Sequence, residues 1–256
     1  MKTVILAGGL GTRLSEETSI KPKPMVEIGG YPILWHIMKY YAHFGYTDFI
    51  IALGYKGEYI KDYFLDYSKL KNDFTIDLKT GTITNHNERF ENWKITLVET
   101  GKDSQTGERI RQLKDYVDKT FMLTYGDGLS NVDIFSLLKL HYSELKYATV
   151  TGARPPARFG HLKIEGNSVV GFNEKTQTDS GWINAGFFVL DKKIFDYIPE
   201  ENVPWEDKPL QQLTKDGQLA CYKHEGFFQP MDTLREKSIL ESLWENKLAP
   251  WKVWNE

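Results

Sequence analysis

Val4-Ile5-Leu6-Ala7 runs without a break into Gly8-Gly9-Leu10-Gly11, and that junction commits the 256-residue chain to an α/β layer arrangement. An unbroken apolar tetrapeptide is the pattern of a strand buried on both faces of a parallel sheet. Three glycines in four positions are a backbone feature: without Cβ atoms the chain takes φ > 0 freely and its N–H groups approach a ligand closely. Arg13 and Lys23 follow within a few residues, so loop and cations together suit a phosphate. A dinucleotide fingerprint would need glycine where Leu14 stands, and a P-loop would need Gly-Lys-Ser/Thr after a four-residue spacer. Neither fits, and a plain glycine-rich turn beside surface charges stays open.

Alternation continues downstream. Residues 32–44 carry apolar side chains at helical spacing, 48–55 read as a strand and 57–67 as a second amphipathic helix. Short alternating pieces at 74–78 and 82–84 flank Lys79-Thr80-Gly81 and predict an inserted hairpin. A strand at 93–98, a helix at 107–116, a strand at 120–125, a helix at 133–144 and a strand at 148–152 complete the first part. Beyond Arg154 the texture turns to short strands at 161–165, 168–173 and 182–190, helical pieces at 192–197 and 209–215, and a closing helix at 232–244. The expected fold is a mixed, mainly parallel central sheet flanked by helices, with an α+β second half, in a single domain spanning 1–256. Trp251 and Trp254 make the tail too apolar for a solvated terminus, so it packs on the body or on another subunit.

With 32 basic and 35 acidic residues, the net charge of −3 gives no overall pull toward nucleic acid or an anionic membrane, so anion binding must be local. No stretch approaches the roughly 20 apolar residues of a membrane span, and Met1-Lys2 leads into a strand rather than a cleavable signal. Cys221 has no partner for an intrachain disulfide; it reads as a small apolar strand residue in a reducing cytoplasm. The six histidines form no zinc-like cluster, and His36 and His43 read as packing residues.

Tyr125-Gly126-Asp127-Gly128 follows a core strand at the edge where open α/β sheets place ligands. Asp127 there suits Mg²⁺, which keeps several waters and takes one or two protein carboxylates plus phosphates; a plain Gly-Asp-Gly turn is the alternative. Asp232, before the closing helix, reads equally as a second metal carboxylate or as an N-cap. Between residues 99 and 111, Ser104, Thr106, Arg109 and Arg111 stand where a base could be read, though an arginine donates to cytosine O2 and uracil O2 alike, and a capped helix with exposed arginines explains them too.

Gly9-Leu10-Gly11-Thr12-Arg13 with Lys21-Pro22-Lys23-Pro24 resembles the signature of the nucleotidyltransferases that make sugar nucleotides. With TYGDG, FNEK, INAGFFVL and QPMDT following in order, the whole chain is similar to the bacterial glucose-1-phosphate cytidylyltransferases. That resemblance implies a glycosyltransferase A-like fold whose nucleotide-binding part is about 1–130 and sugar-phosphate part about 131–256. It also implies CTP and glucose 1-phosphate as substrates, CDP-glucose as product for deoxysugar or O-antigen synthesis, and a homo-oligomer, a hexamer. Leu6, Ala7, Gly8, Gly9, Leu10, Gly11, Thr12 and Arg13 then match the nucleotide-binding segment, with Lys23, Ser104, Thr106, Arg109 and Gly126 beside it. Lys23, Arg13 and Asp127 carry catalysis, Asp127 and Asp232 hold Mg²⁺, and Glu174, Lys175 and Asn184 hold the sugar phosphate. Thr176 departs from the proline frequent after Glu-Lys in related enzymes, which bears on the sugar. A relative using another base or sugar, and a non-catalytic nucleotide-sugar-binding module, are the competing expectations.

Overall fold

The computed structural model describes residues 1–67, 72–86, 91–155, 161–166, 168–173 and 181–255. Among them, seven strands form one sheet: β1 (Thr3–Leu6), β2 (Asp48–Leu53), β3 (Lys94–Glu99), β4 (Thr120–Tyr125), β5 (Ala148–Ala153), β6 (Ile183–Asp191) and β7 (Leu219–His224), in the spatial order β7-β5-β6-β4-β1-β2-β3. β1 lies parallel to both β2 and β4, and β2 to β3. β6 runs antiparallel between β4 and β5, and β7 pairs parallel with β5. The mainly parallel sheet expected from the alternation is therefore present.

The apolar runs are continuous because both faces of the sheet are covered. Ile5, Ile51 and Met122 pack on one face under helix α1 (Ile33–His43), while Val4, Ile50 and Leu123 pack on the other with Trp205. Strand order reverses between β1 and β4: the chain goes on from β1 to β2 toward one edge of the sheet and from β4 to β5 toward the other. Such a switch point opens a crevice at the carboxyl ends of the two strands. The glycine loop after β1 and Gly126-Asp127 after β4 both arrive there. Because β6 is reversed, its first residues also reach that edge, and Asn184 comes beside Tyr125.

Helix α2 (Gly57–Leu65) and helix α3 (Thr106–Arg111) follow β2 and β3, and α4 (Ile134–Glu144) is capped by Asp133, whose side chain accepts from Ser136 N. α3 is shorter than the helix expected at 107–116: from Leu113 onward the hydrogen bonds reach back three residues, Leu113 N to Ile110 O and Tyr116 N to Leu113 O, and the α-helical ladder ends. The inserted hairpin pairs Asp73–Asp77 with Thr82–His86 around Gly81. Helix α5 (Lys208–Lys215) precedes β7, and the last helix, α6 (Leu234–Glu245), starts after an N-cap at Thr233 rather than at Asp232. Cys221 corrects a reading: it lies in a strand, but β7 is an edge strand of the sheet and its alternate residues face solvent, so the thiol is exposed. Trp251 is fully buried within the chain's own core, the intramolecular alternative for the tail. Glu174, Lys175 and Thr176 lie outside the described residues.

Candidate active site

The glycine loop is held from three sides. Gly8 O accepts from Tyr55 N at 3.1 Å and from Arg109 Nη2 at 2.8 Å. Gly11 sits at φ +64°, and a Cβ there would fall 2.8 Å from Thr18 Cγ2 and 3.1 Å from Lys23 Cβ, so glycine is required both for the turn and for the close approach. Thr18 Oγ1 lies at 3.1 Å from Gly11 O and 3.0 Å from Leu14 O, tying the loop to the short helix Ser15–Thr18. Lys23 begins a 3₁₀ turn, Lys23–Met25, between two prolines that fix its backbone, and the turn is buried.

Lys23 Nζ bridges two carboxylates, 2.7 Å from Asp127 Oδ2 and 2.5 Å from Asp232 Oδ1. Arg13 Nη1 meets the other oxygen of Asp232 at 2.9 Å. These groups are far apart in sequence, and a small antiparallel pair, Gly128–Ser130 with Phe228–Pro230, brings the two aspartates together; Met231 N donates to Asp127 O at 2.8 Å. Burial alone would push the Lys23 ammonium below its ordinary value, but Asp127 and then Asp232 outweigh it and hold it above. The Lys23 side chain is 10% exposed, whereas that of Arg13 is 72% exposed.

The remaining wall belongs to α3 and the segment before α5. A cleft of about 320 Å³ is lined by Leu6, Ala7, Gly8, Gly9, Gly11, Thr12, Arg13, Lys23, Ser104, Thr106, Arg109, Gly126 and Asp127. Leu10 is not in that lining; its side chain is exposed. Asp232 and Asn184 join through their partners: Asp232 through Lys23 and Arg13, Asn184 through Nδ2, which donates to Tyr125 OH at 3.2 Å. Arg109 is 3% exposed, with its guanidinium donating to Leu53 O, Thr100 Oγ1 and the carbonyls of Gly8, Gly101 and Lys102. Arg111 instead forks onto Glu108. Ser104 Oγ donates to Thr100 O. Thr106 Oγ1 donates to Glu206 Oε2 at 2.6 Å.

Glu206 and Tyr125 are cleft residues to which the sequence reading assigned nothing. Tyr125 OH donates to Glu206 Oε1; burial, then the Glu206 carboxylate, pushes the phenol up and keeps it protonated. Tyr125 was within reach of sequence reasoning, being adjacent to Gly126-Asp127. Glu206 had no signal beyond a charge beside Trp205.

The donor set fits a hard divalent cation. Asp127 and Asp232 share one ammonium and so lie within reach of a single ion, and among the described residues no third His, Cys, Asp or Glu joins them. Two carboxylates with coordination left for water and phosphate oxygens suit such an ion.

A nucleotidyl transferase family model matches residues 2–245. The chain is 51% identical to a glucose-1-phosphate cytidylyltransferase of Salmonella typhi, covering 99% of this chain and 100% of that protein. It is 30% identical to the D-glycero-alpha-D-manno-heptose 1-phosphate guanylyltransferase of Campylobacter jejuni, over 86% of this chain and 90% of the other. Among solved structures, HddC from Yersinia pseudotuberculosis superposes with a TM-score of 0.71 at 26% identity, covering 95% of this chain and 99% of that one.

Proposed function

The chain belongs to the nucleotidyl transferase family, with its glycosyltransferase A-like fold, and on that premise we propose that it joins CTP and α-D-glucose 1-phosphate into CDP-glucose and pyrophosphate. The observation that carries this reading is the meeting of Lys23 and Arg13 with Asp127 and Asp232 beside the glycine loop. In the reaction a phosphate oxygen of the sugar phosphate forms a bond to the α-phosphorus. The bond from that phosphorus to the α,β-bridging oxygen breaks, and pyrophosphate leaves with the electron pair. The nucleophile is already ionised at neutral pH, so no side-chain base is needed. What remains is to bring two anions into line and neutralise the leaving group, which is positioning and electrostatics.

Each residue has a place in that task. Backbone N–H groups of Gly8–Gly11 and the Arg13 guanidinium hold the triphosphate, and Lys23 neutralises the transferring phosphoryl group. Asp127 and Asp232 would hold Mg²⁺, which supplies charge neutralisation on phosphate oxygens when bound. Ser104 and Thr106 stand on the base side; Arg109, which donates to four backbone carbonyls and the Thr100 hydroxyl, holds Gly8 in place. Asn184, with Glu174 and Lys175, takes the sugar phosphate. The nucleotide part is about 1–130 and the sugar-phosphate part about 131–256 of one domain. The same reading includes a cytoplasmic setting, supply of CDP-glucose to deoxysugar and O-antigen synthesis, and a homo-oligomer, a hexamer. Phe74, Ile76 and Ile83, half-exposed on the hairpin, support association, and light scattering after gel filtration measures it.

Pyrophosphate release across a matrix of CTP, UTP, dTTP, GTP and ATP against several sugar 1-phosphates tests the activity. CTP with glucose 1-phosphate should turn over fastest in the presence of Mg²⁺. Another preferred pair would reassign base or sugar, and binding without turnover in every well would leave a nucleotide-sugar-binding module.

A further inference from the structure

The chain supplies its own cation to the Asp127/Asp232 pair. Lys23 Nζ bridges the two carboxylates at 2.7 and 2.5 Å, and Arg13 takes the second oxygen of Asp232 at 2.9 Å. Two cations thus balance two anions, and the bridging ammonium is too buried for water to screen it well. A divalent ion held by this pair would compete with Lys23 for the two carboxylates. Three positive centres on two carboxylates repel one another unless Lys23 leaves. It has somewhere to go: its Cα is fixed between Pro22 and Pro24, its stem lies against Gly11, and its four-carbon chain lines the same cleft as the phosphate loop.

Resting on the divalent-metal reading above, we infer that Lys23 is the built-in counter-ion of the metal site and couples the metal to the polyphosphate. The pair accepts the ion fully only when a triphosphate arrives to receive Lys23 and Arg13. Metal and nucleotide then strengthen each other's binding, as linkage requires of any coupled pair of sites. Lys23 therefore has two roles, guarding the carboxylates before loading and meeting the phosphates after it.

Mn²⁺ binding to the full-length protein, followed by the electron paramagnetic resonance of the free ion, tests this with and without CTP. Wild type should bind Mn²⁺ weakly alone and much more tightly with CTP. Lys23→Gln should bind Mn²⁺ alone roughly tenfold or more tighter than wild type, within the range usual for coupled sites, and gain less from CTP. Lys23→Arg, which keeps the charge, should stay weak. Lys23→Gln binding the ion no more tightly than wild type would overturn the inference while leaving the metal reading intact. Mn²⁺ binding with CTP that Asp127→Asn does not weaken would overturn the metal reading itself. Thermal unfolding gives an independent readout. With chelator, Lys23→Gln and Lys23→Met should melt below wild type and recover more than wild type does on adding Mn²⁺; equal recovery counts against the proposal.

Discussion

Lys23→Ala deletes the charge that bridges both carboxylates, and turnover should fall by about 10²-fold or more with a milder change in KM, because the charge is needed most as pyrophosphate departs. Steady-state kinetics of the variant decide this, and near-normal kcat would remove Lys23 from the mechanism. Arg109→Lys tests a different dependence. Five acceptors converge on one guanidinium fork, and an ammonium with three donors cannot satisfy them, so Gly8 and Leu53 would lose partners. The expected result is a higher KM for the nucleotide and a lower melting temperature, and unchanged values of both would count against it. At this scale the sequence carried Lys23, Asp127 and the glycine loop because local spacing marks them. It could not tell whether Asp232 was a cap or a site residue, because that depends on a partner 209 positions away. Nor could it show which oxygens of the fold Arg109 donates to, since an arginine in sequence has no direction.

The closing helix shows how an element places a side chain. Thr233 and Glu236 form a capping box, and the Glu236 carboxylate also accepts from Asp232 N at 2.7 Å. The cap thereby frees the Asp232 side chain for Lys23 and Arg13. Thr233→Ala should cost about 1 kcal/mol of stability in urea unfolding, the usual worth of such a cap. Glu236→Ala should cost at least as much and, by releasing the Asp232 backbone, also raise the Mg²⁺ concentration needed for half-maximal rate. If the two variants show the same metal dependence, the cap does not position Asp232. Strands were the most legible elements. β4 matches its expected limits because its apolar run is bounded by charge on one side and glycine on the other, whereas α3 ended early where tighter backbone hydrogen bonds replaced the helical ladder. The reversal of β6, which brings Asn184 to the ligand edge, is a pairing choice that no run of residues announces.

At the scale of the molecule, the amino- and carboxyl-terminal parts of the chain are joined by aromatic packing behind the sheet. Trp251, fully buried, stacks near Trp244 and Phe227, and its indole N–H lies 3.3 Å from His36 Nδ1 on α1. His36 Nε2 lies 2.8 Å from Ile28 O, so a neutral ring with the proton on Nε2 satisfies both contacts. Burial drives its pKa down to about 4, against roughly 6.5 in an unfolded chain. The sign follows: between those two values the unfolded chain binds the extra proton and the folded one does not, so stability is fully present above the upper value and is lost as pH falls toward the lower. The loss from this one ring amounts to about 3 kcal/mol. Burial lowers His141 and His224 as well, so the contribution of His36 has to be read as a difference. Urea unfolding of wild type and His36→Gln at pH 7 and pH 4.5 provides it. Wild type, more stable at pH 7, should lose markedly more stability on acidification than the variant, because glutamine has no proton to gain. Equal losses in the two proteins would mean that the ring does not stay neutral in the fold, and that the contact between α1 and the tail is not what sets acid sensitivity.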